Sequence, residues 1–518
     1  MTRDKPTRAK AGGGDSPART GGRQGAPPAG RGQSPAPARP GSPAAARRRG
    51  LPRWWLAPLI AVLLVGAALI FHPWRARAPR LPAPAPVATL PPGTPVLLIS
   101  IETLREDHLS RSGYARETTP FLDRFASEGV YFSSCYAQSS WTLPSMLTLI
   151  SSLSPPVFGV RDGVAPVPRA DDEPVSETPA MRLEIFAQAH TTLAEVLRER
   201  GYRTAGVSTS GHLIERQGFT QGFESFNETD CMWGTADCCL PRVREVIEGG
   251  GLDSLFVWVH VFDPHFDKHG RPPLYQPPAG YETLFGAGDG GNQVAAVIAN
   301  YDRKLRYTDD RLRDFFAGLA ADGLLDRFLV VITGDHGEEF NEKGRWGHSK
   351  ALTNTLIHVP LIMRLPGGQG AGRVVTDVVR HLDVMPTILD LLGIPAPAAA
   401  EGVSLKPLLE GRSLPALPVY AETRRMGLHL LCLIDPALDR KVVVDFRARA
   451  IELYAFSGDP GEGLNLAPQH AQEAQQLAQR LRETAQQLAE RAILESAPGE
   501  IPEEERERLR SLGYLGGG

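Results

Sequence analysis

The sequence predicts an α/β protein with a mainly parallel central sheet flanked by helices. Uninterrupted apolar runs, such as those within 95–101 and 327–336, are typical of strands buried on both faces of a sheet. These runs alternate with amphipathic segments of helical period, which is the pattern produced when helices cover both faces of a parallel sheet. After about residue 412 the alternation stops, and the short apolar runs that follow predict a small antiparallel sheet.

The predicted elements alternate along the chain and then change character. Strands before residue 412 are expected at 95–101, 131–138, 203–209, 254–262 and 327–336. Helices are expected at 118–130, which has Gly129 near its end, and at 192–202 and 301–320. The C-terminal subdomain, 413–518, is expected to hold strands at 428–434, 440–448 and 451–456 and a polar-rich helix at 471–493.

The first 50 residues differ in composition from the rest of the chain. They are rich in Gly, Pro, Ala, Ser and Arg, and they hold eleven Lys and Arg against two Asp. So few large apolar side chains cannot offset the entropy of ordering the segment, and we predict a disordered basic tail. Because the whole chain has a net charge of −3, the remainder carries −12, and an acidic body argues against binding to nucleic acid.

A single membrane anchor is predicted at 51–74. Its centre, 54–71, holds eighteen residues without a charge, which at about 1.5 Å each nearly cross a bilayer core of roughly 30 Å. Arginines precede this stretch, so we expect a cytoplasmic N-terminus and an extracytoplasmic body, although three arginines also follow it. A buried core helix and a cleaved signal peptide are the alternatives. Residues 75–94 are rich in proline and are expected to form a stiff linker.

Three of the five cysteines are crowded into nine residues. The five are Cys135, Cys231, Cys238, Cys239 and Cys432. No two of them have the CxxC spacing of a zinc ribbon. The crowding favours one loop disulfide in an oxidising compartment, and inert buried thiols are the alternative.

Residues that carry chemistry stand at the ends of predicted strands. Glu102 follows the first strand, and Asp335 and His336 end the strand at 327–336. Ligands of parallel sheets bind beyond the carboxyl ends of the strands, so these side chains are expected to meet. Two carboxylates and one imidazole suit Mn, Mg, Ca or Zn, and we predict one divalent metal ion held by all three residues. For each residue alone, a capped turn is the alternative.

Thr142 opens a predicted helix at 144–153. Pro144 suits the first turn of a helix, where its missing N–H costs nothing. The hydroxyl of Thr142 could therefore be a plain helix cap. The same position would also suit a nucleophile, because a helix N-terminus favours an alkoxide and an anionic substrate. The local sequence leaves both interpretations open.

Six segments, in order along most of the chain, resemble those of one family. The first, 95–145, runs from "PVLLISI" to "SSWTLPS", and the second is "FVWVHVFDPHF". The third, 330–367, begins "VVITGDHGEEF", and the last three are "DVMPTILDLLGI", "GVSLKPLL" and "ELYAFSGDPGEGLNLA". They are similar to the metal-ligand, nucleophile and C-terminal segments of the sulfatase family in the alkaline phosphatase superfamily. The resemblance implies an alkaline-phosphatase-like fold, a catalytic domain over 95–412 and activity on an anionic ester, such as one on a glycan or a lipid headgroup.

The resemblance also implies a role for individual residues. The implied metal ligands are Glu102, Thr142, Asp335 and His336; the catalytic residues are Thr142, His265 and His348; and the residues binding the anionic group are His212 and Lys350. Thr142 would be the nucleophile, and one of the two catalytic histidines would protonate the leaving oxygen. For His348, an ordinary surface position is the alternative.

Three residues depart from the family pattern. Thr142 stands where a sulfatase has Cys or Ser, and threonine cannot be oxidised to formylglycine. An adduct on threonine must be displaced by water at the central atom, which suits phosphorus better than sulfur. Met146 replaces an arginine that supports the nucleophile, and Glu102 replaces the usual Asp.

Three functions follow from this interpretation, in decreasing order of preference. The first is a membrane-anchored, metal-dependent hydrolase of phosphate, phosphonate or sulfate esters. The second is a transferase that passes a phospho-alcohol group between a lipid and a glycan. The third is a degenerate member that binds without catalysis.

Overall fold

A computed structural model describes residues 87–160, 164–166, 181–228, 230–232, 234–265, 279–286, 292–425 and 427–498. The predicted tail at 1–50, the predicted anchor at 51–74 and residues 75–86 of the predicted linker lie outside these residues. Among the helices that the structure describes, none combines the length and the apolar character that a membrane crossing requires.

The main sheet has nine strands. Their bounds are Val96–Ile101 (β1), Val130–Tyr136 (β2), Arg203–Ser208 (β5), Ser225–Asn227 (β6), Leu255–Val261 (β7), Leu329–Gly334 (β8), His358–Arg364 (β11), Arg373–Val375 (β12) and Val379–Arg380 (β13). They are ordered β12-β2-β11-β8-β1-β7-β5-β6, and β13 also pairs with β2. β11 runs antiparallel to β2 and β8, whereas the other pairings are parallel. The mainly parallel sheet is therefore confirmed.

Shorter strands form two small sheets beside the main one. One contains Glu339–Phe340 (β9) and Trp346–Gly347 (β10), and the other contains Val164–Pro166 (β3), Met181–Ile185 (β4) and Glu495–Pro498 (β18). The short 3-10 helices are Glu106–His108, Ser110–Ser112, Glu215–Gln217, Leu325–Arg327, Pro366–Gly368 and His381–Asp383.

Helices cover both faces of the main sheet. The α-helices are Pro120–Ser127 (α1), Thr142–Ser151 (α2), Pro155–Phe158 (α3), Leu193–Glu199 (α4), Ala236–Glu248 (α5), Gln293–Ala321 (α6), Asn354–Ile357 (α7), Val384–Leu391 (α8), Lys406–Leu409 (α9) and Ala471–Glu490 (α10). Strand β1 is apolar except for Ser100, because its side chains are buried on both faces of the sheet. Val96 and Leu98 enter the core on the side of α2 and α8, and Leu97 and Ile99 enter the core on the side of α1, α5 and α6.

The C-terminal part contains a four-stranded antiparallel sheet packed on α10. Its strands, in spatial order, are Val419–Arg425 (β14), Leu428–Asp435 (β15), Arg440–Asp445 (β16) and Ala450–Ala455 (β17). The last three match the predicted strands, whereas β14 was not predicted. Three of its seven residues are charged, and the pattern of apolar residues therefore hides it. Its charges are accommodated by pairing, as between Glu422 and Arg424.

Strand β14 lies against the segment that precedes α2. The N–H of Glu422 donates to the carbonyl of Gln138 at 2.9 Å. The hydroxyl of Thr423 donates to the carbonyl of Ser349 at 3.2 Å, and the N–H of Ser349 donates to the carbonyl of Ser140 at 2.9 Å. These bonds hold the C-terminal sheet beside Thr142.

Both interpretations of the cysteines are realised. Cys231 and Cys238 form a disulfide seven residues apart, as the crowding favoured. The remaining three, Cys135, Cys239 and Cys432, are free thiols buried in the core. Burial raises the pKa of each of these thiols, which keeps them unreactive.

Candidate active site

Two neighbouring parallel strands deliver a cluster of three acidic and imidazole side chains. Glu102 follows the last residue of β1, while Asp335 and His336 follow β8. All three are fully buried, and one ligand atom from each lies within 4.8 Å of the others. The carboxyl ends of two parallel strands thus bring together the predicted metal ligands.

The hydrogen bonds of Asp335 and His336 leave one acceptor on each side chain. Asp335 Oδ1 accepts the N–H groups of Thr103 at 2.8 Å and His336 at 2.7 Å. His336 Nδ1 lies 2.8 Å from the carbonyl of Gly337, to which it must donate, so Nε2 carries a lone pair. Asp335 Oδ2 makes no hydrogen bond and lies 3.2 Å from that Nε2. Two buried acceptors facing each other fit a cation.

Glu102 is oriented from two directions. Its Oε2 lies 2.6 Å from His260 Nε2, and its Oε1 accepts a hydrogen bond from the hydroxyl of Thr142 at 2.6 Å. His260 is in turn held by Ser100, whose Oγ lies 2.8 Å from His260 Nδ1. The longer side chain of Glu102, compared with the Asp of the family pattern, is therefore fixed at both oxygens.

The charges of the cluster favour an added cation. Burial opposes the ionisation of Glu102, but the hydrogen bond and charge of His260, with the charges of His265 and His336, lower its pKa well below the usual value. Burial and the nearby carboxylate of Glu102 raise the pKa of Asp335 to about 7. A divalent cation at this position would remove the repulsion between the two carboxylates, so the residues present fit a metal ion.

The backbone beside the cluster is strained. Thr103, which follows Glu102, has a φ of 49°, a value that β-branched residues rarely adopt. Its carbonyl accepts a hydrogen bond from the buried hydroxyl of Tyr301 at 2.8 Å, and its N–H donates to Asp335. Such strain is retained where the surrounding contacts impose it, and here it directs Glu102 and Asp335 towards the same point.

Thr142 is the first residue of α2, and its hydroxyl does not cap the helix. Trp141 occupies the N-cap position and makes no capping hydrogen bond with its side chain. The hydroxyl of Thr142 instead donates to Glu102, and it lies 3.3 Å from His336 Nε2. One turn further along, Ser145 donates to the backbone carbonyl of Asp335, which ties α2 to the end of β8.

Two predicted catalytic histidines lie next to the cluster. The ring of His348 is 4.6 Å from the ring of His336 and 5.2 Å from the ring of His265, measured between centroids. His348 Nδ1 also lies 3.1 Å from Glu338 Oε1. Burial, then the charges of His336 and Arg425, lower the pKa of His348 well below its ordinary value. His348 is thus a mostly buried group beside the cluster rather than a surface histidine.

The two predicted anion-binding residues occupy different environments. His212 is buried and packs edge-on against Trp141, with 5.9 Å between ring centroids. Lys350 is exposed, and its charge acts on His348, two residues away. His212 therefore contacts Trp141, the residue before Thr142, whereas Lys350 lies at the surface.

The sequence interpretation assigned no specific role to two residues near the cluster. His260 stands at a strand end in the quoted segment at 256–266 and was expected near the site without a specific role, although it pairs directly with Glu102. Arg425 lies at the end of the unpredicted strand β14, with its guanidinium carbon 4.1 Å from the centroid of the Trp141 ring. A polar residue inside an otherwise apolar strand is a signal that identifies His260, whereas Arg425 has no comparable signal.

Met146 belongs to the hydrophobic core. Its side chain is fully buried in the cluster that also contains Leu143, Leu147 and Met385. The helix α2 is buried along its whole length, so the position suits an apolar side chain.

Comparison with known proteins decides the family. The family model described as Sulfatase matches residues 94–394, more than half of the chain. The chain belongs to the sulfatase family. This confirms the predicted resemblance to the sulfatase family.

Individual relatives agree with this family. The chain is 24% identical to human arylsulfatase A over 439 residues, which cover 72% of the chain and 83% of that relative. It is 27% identical to arylsulfatase K of Xenopus laevis over 201 residues, and this match spans 37% of each protein, less than two thirds of that relative's length.

Solved structures share the fold of this sulfatase-family chain. The phosphonate monoester hydrolase of Agrobacterium radiobacter has a TM-score of 0.57 at 21% identity, covering 76% of this chain and 96% of that one. A protein in complex with its substrate D-glucosamine-2-N,6-O-disulfate has a TM-score of 0.62 at 18% identity, covering 77% and 98%. The alkaline-phosphatase-like fold is confirmed.

Proposed function

We propose that the protein is a metal-dependent hydrolase of phosphate or phosphonate esters, and of sulfate esters less efficiently, with Thr142 as its nucleophile. The observation that carries the proposal is the hydrogen bond of 2.6 Å from Thr142 Oγ1 to Glu102 Oε1. It directs the hydroxyl into the acidic and imidazole cluster instead of towards the helix backbone. A threonine that served only as a helix cap would accept a backbone N–H instead.

Glu102, Asp335 and His336 would hold one divalent cation, with Thr142 Oγ1 beside them. The oxygen and nitrogen donors suit Mn, Mg, Ca or Zn. The cation would supply Lewis-acid stabilisation of the negative charge on the ester oxygens. The residues themselves provide the buried, oriented setting, because the hydroxyl of Ser145 donates to the backbone carbonyl of Asp335 and the N–H of Thr103 donates to its side-chain oxygen Oδ1.

The chemistry at Thr142 would proceed in two displacements. In the first, Thr142 Oγ1 passes its proton to Glu102 Oε1, its hydrogen-bond acceptor, and bonds to phosphorus as the bond from phosphorus to the leaving oxygen breaks; that oxygen takes a proton from His265 or His348. In the second, water gives a proton back to the same histidine and attacks phosphorus, the bond to Thr142 breaks, and Thr142 Oγ1 takes its proton back from Glu102. Burial lowers the pKa of His348 in the free protein, and the negative charge of a bound ester would raise that pKa, which favours its role as a proton donor.

The proposed preference for phosphorus follows from threonine itself. Its β-carbon carries a methyl group, so oxidation cannot produce the aldehyde on which formylglycine chemistry depends. Release of the adduct then requires attack at the central atom. An anionic ester on a carbohydrate is the substrate class supported by the solved relative that binds a disulfated glucosamine. Anchoring through 54–71, with the catalytic domain outside the cytoplasm, is part of the same proposal.

The experiment compares turnover of aryl phosphate monoesters, diesters, phosphonates and sulfates by the full-length chain with added Mn or Zn. Thr142→Val is expected to abolish turnover, and Thr142→Ser to retain part of it. Thr148→Val is the matched control, because Thr148 lies in the same helix with a buried hydroxyl that makes no hydrogen bond. Mass spectrometry of the peptide containing Thr142, after rapid denaturation during turnover, should find the covalent adduct.

Two results would contradict the proposal. Full activity of Thr142→Val would remove the nucleophile. Removal of divalent ions with a chelator should abolish turnover, and restoration by Mn or Zn should recover it, so unchanged activity after chelation would remove the metal. Transfer of the group to a glycan without release of free product would instead support the transferase.

A further inference from the structure

Arg425 brings a buried positive charge to the nucleophile segment from a separate sheet. It ends β14, and only 3% of its surface is exposed. Its guanidinium carbon lies 4.1 Å from the centroid of the Trp141 ring, a cation–π distance. Trp141 directly precedes Thr142, so the guanidinium lies over the residue that comes before the proposed nucleophile.

The position of Arg425 is fixed by the backbone around it. β14 is held against the nucleophile segment by the bond from the Glu422 N–H to the Gln138 carbonyl, three residues before Trp141. The antiparallel pairing of Arg425 with Leu428 of β15 holds the end of the strand. A guanidinium supported in this way loses little freedom when it binds a ligand.

The same ring brings Arg425 close to a predicted anion-binding residue. His212 packs edge-on against Trp141, and the guanidinium lies over the ring of that tryptophan. After burial, the charge of Arg425 is the largest influence that lowers the pKa of His212. Arg425 and His212 therefore lie against the same tryptophan ring, which belongs to the residue that precedes Thr142.

We infer that Arg425 is a substrate-binding residue that contacts the anionic oxygens of the phosphate or phosphonate group. The inference rests on the proposed function. A planar guanidinium can donate two parallel hydrogen bonds to two oxygens of a tetrahedral anion, which a lysine cannot do. The C-terminal sheet would then complete the substrate site through one residue of β14.

The experiment measures the affinity of the metal-loaded, full-length chain for inorganic phosphate by calorimetry. Arg425→Met is expected to bind phosphate roughly 10- to 100-fold more weakly, because a charge-assisted pair of hydrogen bonds is lost. Arg425→Lys is expected to bind roughly 5- to 10-fold more weakly, since the charge remains and the fork is lost. Arg447→Met, on an exposed turn of the same sheet, is the matched control and should bind as the wild type does.

The kinetics provide a second measurement that a purely structural role would not change in the same way. KM should rise in both Arg425 variants, and it should rise more for a doubly charged phosphate monoester than for a singly charged diester. Phosphate affinity within twofold of the wild type in folded Arg425 variants would overturn the inference. If Arg425→Met does not fold, Arg425→Lys alone is measured, and a phosphate affinity within twofold of the wild type overturns the inference.

The outcomes separate this inference from the proposed function. A wild-type chain that turns over no ester but binds phosphate in an Arg425-dependent manner would retain the inference and remove the hydrolase. An active wild-type enzyme whose phosphate affinity and KM are unchanged in the variants would retain the hydrolase and remove the inference.

Discussion

Thr142 Oγ1 and Glu102 Oε1 are joined by a hydrogen bond of 2.6 Å between residues 40 positions apart. The bond connects the start of α2 to the end of β1, so the candidate nucleophile and a candidate metal ligand are positioned by each other. His260 holds the second oxygen of Glu102 at 2.6 Å. The glutamate therefore stands at the centre of the site, and its length matters.

Glu102→Asp is expected to lower kcat by about 100-fold, although aspartate is the residue of the family pattern. The shorter side chain withdraws the carboxylate from both Thr142 and His260, and misplacement by about 1 Å can cost that much. Steady-state kinetics with an aryl phosphate provide the measurement. Glu199→Asp, at an exposed position of α4, is the control and should leave kcat unchanged. An increase in kcat for Glu102→Asp would show that the glutamate is poorly accommodated.

His260→Ala is expected to weaken metal affinity by roughly 10- to 100-fold, the usual effect of removing a group that orients a metal ligand. The substitution leaves the buried Oε2 of Glu102 without its partner. His260→Gln can place an amide N–H near the position of Nε2, so it should recover part of the loss. Titration of the metal-free chain with Mn measures the affinity.

A surface histidine is the control for this series. His470→Ala, at an exposed position, should bind Mn as the wild type does. Equal affinity of His260→Ala and the wild type would contradict the positioning role of His260.

The sequence predicted the central sheet because its signals are local. β1 and β8 are mainly apolar, and the residues that form the cluster directly follow each strand, so an apolar run followed by a carboxylate marks both the strand and the ligand. The antiparallel direction of β11 could not be predicted in this way, because strand direction depends on pairing with β2 and β8. Pairing partners are set by distant parts of the chain.

The site was predicted in part for the same reason. Glu102, Thr142, Asp335 and His336 lie in segments with recognisable neighbours, and the structure brings them together. Arg425 was missed because three of the seven residues of β14 are charged, a pattern that does not predict a buried strand. Lys350 was expected to bind the anionic group, and its exposed position could not be read from its place in the sequence.

Met146→Arg is expected to destabilise the protein by about 3 to 5 kcal/mol, as expected for an uncompensated buried charge. The side chain is fully buried among apolar residues of the core. Restoring the arginine of the family pattern should therefore not raise activity. Met146→Leu should cost less than about 1.5 kcal/mol. Chemical denaturation compares the variants with Leu464→Arg, at a position that is 60% exposed.

A Met146→Arg variant that is as stable as the wild type and more active would contradict this prediction. It would mean that the helix can turn this side chain towards the cluster.

Asp309→Asn is expected to flatten the dependence of stability on pH. Asp309 lies on α6 and accepts the N–H groups of Phe121 and Leu122 at the start of α1. Burial raises its pKa to about 7, above the value of an unfolded aspartate. Because the pKa of Asp309 is higher in the folded state, its contribution to the free energy of unfolding is fully present below about pH 3.8. That contribution is lost as the pH rises to about 7. The apparent unfolding temperature of the wild type should therefore fall more steeply between pH 5 and 7.5 than that of Asp309→Asn. Asp314→Asn, at an exposed position of the same helix, is the control and should show the pH dependence of the wild type. Parallel curves for all three proteins would contradict the raised pKa.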